Sequence, residues 1–340
     1  MKQTDFARTI TKYLSDYLPG QRNLSSHTIR SYRDAYKQML LFLNAKYCLK
    51  IEHIAFKDIT AERIREFLYW LENERKLSIS TRNQRLAAIH SFYRYAQTEY
   101  PEVLFECQRI LGIPFKKMAH PIIGYLTKEC LHLLLEQPNL STKRGRRDLT
   151  LITTLYDTGA RVQELIELRI NNVRLQSPAI VTLTGKGNKS RCVPIMDKTR
   201  KILQTYLNEN HLQENGRQQT PLFHNSRYEQ FTRPGITYIL RKYFNLVKTA
   251  HPELPFPTNI HPHMMRHTKA IHLLEAGVNL IYIRDLLGHT SVTTTEIYLK
   301  AETELKRNAI ENAYPEIVTQ NMPVWTDNTE LLKWLENLCH

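Results

Sequence analysis

Cysteine is scarce and unpaired in this chain. There are five in 340 residues (Cys48, Cys107, Cys130, Cys192, Cys339), with no CxxC spacing among them. That argues against a disulfide framework and against a zinc knuckle. Long apolar runs are also missing. None approaches the roughly 20 residues that a membrane helix needs, so no membrane partner is expected. The first residues, MKQTDFARTI, are polar and lack the apolar core of a signal peptide, which sets a cytoplasmic location as the expectation. Acidic residues are outnumbered, 33 Asp plus Glu against 47 Lys plus Arg, for a formal charge of +14. Such an excess suits a polyanionic partner, and nucleic acid fits it best.

What is present describes a folded protein. With 42% hydrophobic and 24% charged residues, each half can bury a core, and the length suits two domains. The first ~105 residues read as helices joined by short polar turns. Ser25 or Ser26 caps a helix with Ile29, Tyr32, Tyr36, Met39, Leu40 and Leu43 on one stripe, and Thr60 caps the next, with Ile64, Phe67, Leu68 and Leu71 inward. A third helix starts near Ser80 and carries Arg82, Asn83, Gln84, Arg85 and Arg94. Such a polar face is either solvated or laid against DNA, where arginines grip phosphates and amides reach base edges. Arg82, Asn83 and Arg85 are therefore candidate DNA contacts. Residues 108–124 contain Pro114 and Pro121, lack a helical period and read as a linker, with Lys116 and Lys117 placed to follow a DNA backbone.

The expected organisation is a helical domain over 1–107, this linker, a second domain over 125–315 and a tail over 316–340. Thr127 caps the helix KECLHLLLE, and a helical stretch over 147–170 is interrupted at Thr158-Gly159. Within 179–195 the period changes to β-branched alternation around a Gly-Lys-Gly-Asn turn, which signals a hairpin. Helices resume near 198–208, 234–248, 263–276 and 279–287. The fold class is mainly α with a small antiparallel β-sheet.

Four segments of the second region hold polar groups that local structure does not require. In TGARVQEL (158–165), Arg161 stands at a helix start, a poor place for a cation unless an anion also binds there, and Glu164 can brace it. The hairpin turn projects Lys186, while Lys189 and Arg191 compete with it for any functional role. In HPHMMRHTKA (261–270), His263 and Arg266 share a face at a helix start. His263 and His267 have the i, i+4 spacing that metal ligands use, but no HExxH glutamate or nearby cysteine accompanies them, and no metal is expected. In LGHTSVTTTEIYLK (287–300), His289 precedes Tyr298 by nine residues. Together these are the groups that covalent attack on a phosphodiester requires. Two guanidiniums bind the non-bridging oxygens, histidines add donors, a lysine protonates the leaving oxygen and a tyrosine attacks.

The order TGxRxxEL, a GKGNK hairpin, HxxRH and LGHxxxxTTxxY strongly resembles the tyrosine recombinase (phage integrase) family, closely over about 125–315 and more loosely over 20–100. The resemblance implies that Arg161 and Arg266 bind the phosphate, with His263 and His289 at the family's histidine positions. Lys186 matches the hairpin lysine, Glu164 the acidic support and Tyr298 the nucleophile. It also implies a two-domain clamp on duplex DNA, a helical core-binding domain joined to a mixed catalytic domain, that needs neither ATP nor a metal cofactor. Members act as homo-tetramers on double-stranded DNA with inverted-repeat core sites, and a directionality or accessory factor is compatible with that scheme. The tail beyond Pro315, with Leu331, Trp334, Leu335 and Leu338, looks longer than in chromosome-resolving members. It is expected either to cap a neighbouring subunit or to fold back in cis.

Overall fold

The computed structural model describes residues 3–118, 124–185, 187, 189–213, 216–225, 227–289 and 295. Lys186, Tyr298 and the 316–340 tail lie outside the described residues. The chain divides into two compact units, Met1–Pro121 and Ile122–His340.

The first unit is helical: α1 (Asp5–Lys12) running into a wider π-turn segment (Tyr13–Gln21), α2 (Ser26–Tyr47), α3 (Ala61–Asn73), α4 (Ile79–Glu99) and α5 (Leu104–Leu111). The starts follow local hydrogen-bonding chemistry. The hydroxyls of Ser25, Thr60 and Ser78 each accept the N–H three residues on, satisfying a donor the helix cannot. The core centres on Phe92 of α4, whose ring meets those of Phe6, Tyr13 and Tyr36 edge-on at 5.7, 5.2 and 5.5 Å.

Two features of this unit differ from the sequence reading. Helix α4 is enclosed by its neighbours on most sides, so polar as well as apolar side chains are buried along it, Arg82 and His90 included. The chain also stays helical through Leu111, because Cys107, Ile110 and Ile113 complete the core. Residues 108–113 therefore belong to the first unit, and the expected linker shortens at its start.

The second unit has α6 (Lys128–Glu136), α7 (Lys143–Thr158), α8 (Val162–Glu167), β1 (Val173–Arg174), β2 (Ile180–Thr184), β3 (Ser190–Pro194), α9 (Asp197–Glu209), α10 (Arg233–Ala250), α11 (Pro262–Glu275) and α12 (Leu280–Leu287). The three strands form one antiparallel sheet in the order β1-β2-β3, with Leu183 opposite Arg191 and Val181 opposite Val193. The two-residue β1 is too short to leave an alternating signal in the sequence. Leu151, Leu155, Leu165, Val181, Val193, Leu203 and Leu240 share the core. Helix α11 runs through it, buried from Met264 to Arg266 and again from Thr268 to His272.

Candidate active site

Two helix ends build the site. Helix α7 stops at Gly159 and α12 stops at Gly288, both in the left-handed conformation, with φ of +57° and +64°. Glycine adopts this geometry without the Cβ clash that other residues incur. At Gly288 a Cβ would also stand 3.0 Å from Cδ of Arg191. These terminations leave carbonyl groups unused by the helices, at ends that carry partial negative charge.

The arginines take up those carbonyls. Arg266, fully buried on α11, donates from Nη1 to the Gly159 carbonyl at 2.8 Å and from Nη2 to the Leu287 carbonyl. Arg161 donates from Nη2 to the Gly288 carbonyl at 3.2 Å. Adjacent carbonyls on one helix end thus hold two guanidiniums that lie 105 positions apart in the chain.

Arg161 occupies the position just before α8 in an extended conformation. Glu164 braces it twice, accepting the Arg161 backbone N–H at 2.8 Å and its Nη1 at 2.7 Å. Arg191 of β3 then approaches the same carboxylate from the other side, with Nη1 on Oε1 at 3.0 Å and Nη2 on Oε2 at 2.8 Å, while its Nε donates to the Leu286 carbonyl. Burial opposes ionisation of Glu164, but the hydrogen bonds from Arg191 and Arg161 outweigh it and hold the carboxyl below its ordinary value. Arg161 stays over a third exposed, so part of its guanidinium still faces solvent.

The histidines gather around this cationic pair. His289 follows Gly288 directly, and its Nδ1 lies 2.9 Å from the hydroxyl of the buried Thr295. Burial first, then Arg266 and Arg161, lower its pKa to about 4. His263, in the first turn of α11, is lowered by partial burial and then by Arg266, His261 and Arg161. Its ring meets that of His267 edge-on at 4.4 Å, and burial followed by His263 lowers His267 to about 3. These are neutral imidazoles at neutral pH, able to donate a hydrogen bond to an anion and to gain a proton as charge accumulates there.

Five predicted site residues, Arg161, Glu164, His263, Arg266 and His289, are thus brought together, and Lys186 and Tyr298 lie outside the described residues. Arg191 is the residue the sequence reading left undecided. The signal for it was present in the alternation of β3, where Arg191 shares the inward face with buried Val193. A charge on an inward face asks for a partner, and Glu164 is that partner.

The proposed DNA contacts of the first unit are placed differently. Arg82 is 6% exposed and donates to the Pro114 carbonyl and to Asn83. The Asn83 amide pairs with the Lys116 backbone in both directions, at 2.8 and 3.1 Å. Arg85 donates to the Ser31 carbonyl. These three brace the helices and the chain exit. Lys116 is exposed and pairs with Glu72, and Lys117 is exposed.

Among the described residues no helix is long and apolar enough to cross a membrane. The pattern described as "Phage integrase family" matches residues 125–304, and that of "Phage integrase, N-terminal SAM-like domain" matches 10–100. A Sinorhizobium fredii protein named as an integrase/recombinase, y4rC, is 35% identical over 92% of this chain and 93% of its own. The tyrosine recombinase XerC of Bacillus subtilis is 31% identical over 92% of this chain and 99% of its own. Among solved structures, the Tn1549 transposon integrase with transposon right-end DNA shares the fold, with a TM-score of 0.68 at 15% identity over 89% of this chain and 98% of its own. XerH recombinase bound to its difH substrate does so at 0.65 and 23% identity, over 88% and 84%.

Proposed function

From the membership of this chain in the phage integrase family, where it is a tyrosine recombinase, we propose that it cuts and rejoins duplex DNA at specific sites through a 3′-phosphotyrosyl intermediate. The observation that carries the reading is the shared anchoring of Arg161 and Arg266 on the neighbouring carbonyls of Gly288 and Leu287, with His263 and His289 alongside.

In this mechanism the scissile phosphate docks on the solvent-facing part of the Arg161 guanidinium, and Arg266, enclosed in the free chain, meets a second non-bridging oxygen when DNA is bound. The Tyr298 oxygen attacks phosphorus as its phenolic proton passes to one of the neutral imidazoles beside the arginines, the bond to the 5′ oxygen breaks, and Lys186 protonates that leaving oxygen. Charge on the phosphoryl oxygens peaks in the transition state, where preorganised donors act most strongly. Each such donor is worth about 3–4 kcal/mol there. The aryl phosphate retains enough reactivity for a free 5′ hydroxyl to reverse the step, either on the same strand or on an exchanged one. Repeating the exchange on the second strand pair passes through a Holliday junction. A homo-tetramer on two inverted-repeat core sites supplies the four active centres. The protein works in the cytoplasm, and outside the pocket the basic excess of the chain, with Lys117 among its exposed cations, holds the duplex.

The biological outcome favoured is integration, excision or transposition of a DNA element, supported by the integrase/recombinase name of the Sinorhizobium relative. Chromosome-dimer resolution is the second reading, supported by the XerC relatives. Recombination between the ends of a mobile DNA element, compared with recombination at a chromosomal resolution site, separates the two.

The decisive experiment uses a duplex nicked next to the cleavage site, which lets the cut fragment escape. The wild-type chain leaves a covalent protein–DNA adduct that survives denaturation, and Tyr298→Phe binds but leaves none. An adduct formed by the Phe variant would move the nucleophile elsewhere. A wild-type chain that binds without any adduct would mark an accessory DNA-binding protein. Relaxation of a plasmid lacking a core site would point to a type IB topoisomerase.

A further inference from the structure

The last turn of α7 and one face of α11 are joined by three buried polar rungs. Tyr156 Oη meets His272 Nδ1 at 2.9 Å, the Asp157 carboxylate accepts from Lys269 Nζ at 3.0 Å, and the Gly159 carbonyl accepts from Arg266 Nη1 at 2.8 Å. Positions 266, 269 and 272 fall one turn apart on a single face, so the rungs run antiparallel along the two elements. The outer rung is uncharged. Burial holds His272 below its ordinary pKa, and a neutral ring that donates from Nε2 to the Leu126 carbonyl leaves Nδ1 to accept from Tyr156.

The middle rung is unusual. Lys269 is 8% exposed and Asp157 4%, in the interior of the unit. The ammonium also lies 5.1 Å from the Tyr156 ring centre. An apolar pair of similar volume would generally fill such a space at no loss of stability, because desolvation cancels most of what two buried charges gain from each other. What an ion pair adds is register. Sliding or rotating α11 by part of a turn would leave both charges buried and apart. The second oxygen of Asp157 accepts the backbone N–H of Met196 at 2.9 Å, two residues beyond β3. One carboxylate therefore ties the end of α7 to α11 and to the exit of the hairpin that carries Arg191.

We propose that Asp157 and Lys269 are positioning residues for the reaction, fixing the register of α11 so that Arg266, one turn away, meets the phosphate correctly. This rests on the reading of Arg266 as a phosphate-binding group. The same carboxylate holds the base of the β2–β3 hairpin, so both cationic arms of the pocket refer to one buried anchor. Small displacements of a catalytic group are costly in rate, about a hundredfold for an ångström, while most of the binding to DNA comes from contacts elsewhere.

The test is the double variant Asp157→Asn/Lys269→Met, in which the asparagine oxygen still accepts the Met196 N–H and methionine fills the lysine's volume. Three quantities are measured on the full chain: the melting temperature, the DNA affinity, and the single-turnover rate of adduct formation on the nicked duplex well below melting. The expected result is melting within a few degrees of wild type, affinity within about twofold, and adduct formation about 10- to 100-fold slower. Adduct formation at the wild-type rate by the folded double variant would overturn the proposal. Should the double variant not fold, Lys269→Arg carries the test, since it keeps a cation for Asp157 but changes its length and shape. Slower adduct formation with unchanged melting then supports the role, and a wild-type rate overturns it. Absence of any adduct from the wild-type chain would instead be a failure of the recombinase chemistry, and is distinguished by that control.

Discussion

Arg191 of β3 and Glu164 of α8 face each other with one guanidinium Nη on each carboxylate oxygen, at 3.0 and 2.8 Å, and both side chains are largely buried. Glu164 spends its other hydrogen bonds on Arg161, so Arg191 acts on the exposed arginine through one shared carboxylate.

Arg191→Met should therefore damage the site through Glu164 and Arg161. Breaking one side of a buried ion pair costs about 3–5 kcal/mol, and here Arg161 remains to satisfy part of Glu164, so the lower end is expected. Urea unfolding reads the stability loss and the nicked duplex reads the fall in adduct formation. Arg191→Lys should recover little of either, because one ammonium cannot span two oxygens. Full activity in Arg191→Lys would contradict this account.

Arg266→Lys keeps the charge but gives up the fork that spans the Gly159 and Leu287 carbonyls. Loss of one transition-state donor predicts adduct formation slower by a hundredfold or more, from about 3 kcal/mol. DNA affinity should change by less than about threefold, since one phosphate contact among many is altered. A loss of affinity as large as the loss of rate would mean that Arg266 serves binding in general.

Gly288→Ala places a Cβ in the left-handed region, at about 1–2 kcal/mol, and drives it against Cδ of Arg191. Melting should drop by several degrees. The rate of cleavage should fall with it, because the carbonyl that holds Arg161 belongs to this residue. Unchanged kinetics in the alanine variant would show that the backbone path at 288 is not what sets Arg161.

Acid should weaken the fold before carboxylates titrate. His289 and His267 are held at about 4 and about 3 by burial and neighbouring charge, against the ordinary 6.5 of the unfolded chain. Below that ordinary value the unfolded chain binds more protons, so stability is fully present above about 6.5 and is lost progressively as pH falls towards the folded values. Melting temperature should fall between about pH 7 and pH 5, and His267→Asn should flatten the slope. Melting that rises over this interval would contradict the assignment of neutral rings.

Much of this was legible in the sequence because it is local. Thr60 and Thr127 precede helices that they do cap, and the two strands expected within 179–195 do pair as β2 and β3. Arg161, Arg266 and His289 could be picked out because each is a polar group that its own helix start or end does not need, and Glu164 because its spacing braces Arg161. Arg82 was less readable, since neighbouring charges on α4 suggested a wet face and only the surrounding helices reveal that it is enclosed. Asp157 and Lys269 were invisible as a pair. Each looks like an ordinary surface charge until α7 and α11 are packed together, and no short-range pattern links positions 112 apart.

The arginine anchors at Gly159, Leu287 and Gly288 are main-chain oxygens, and no side-chain replacement can delete an oxygen of the main chain. Substitutions can therefore reach these anchors only by altering the path of the backbone, which the two glycine terminations set. The two glycines should accordingly tolerate a larger side chain poorly, although neither contributes a side chain to the pocket.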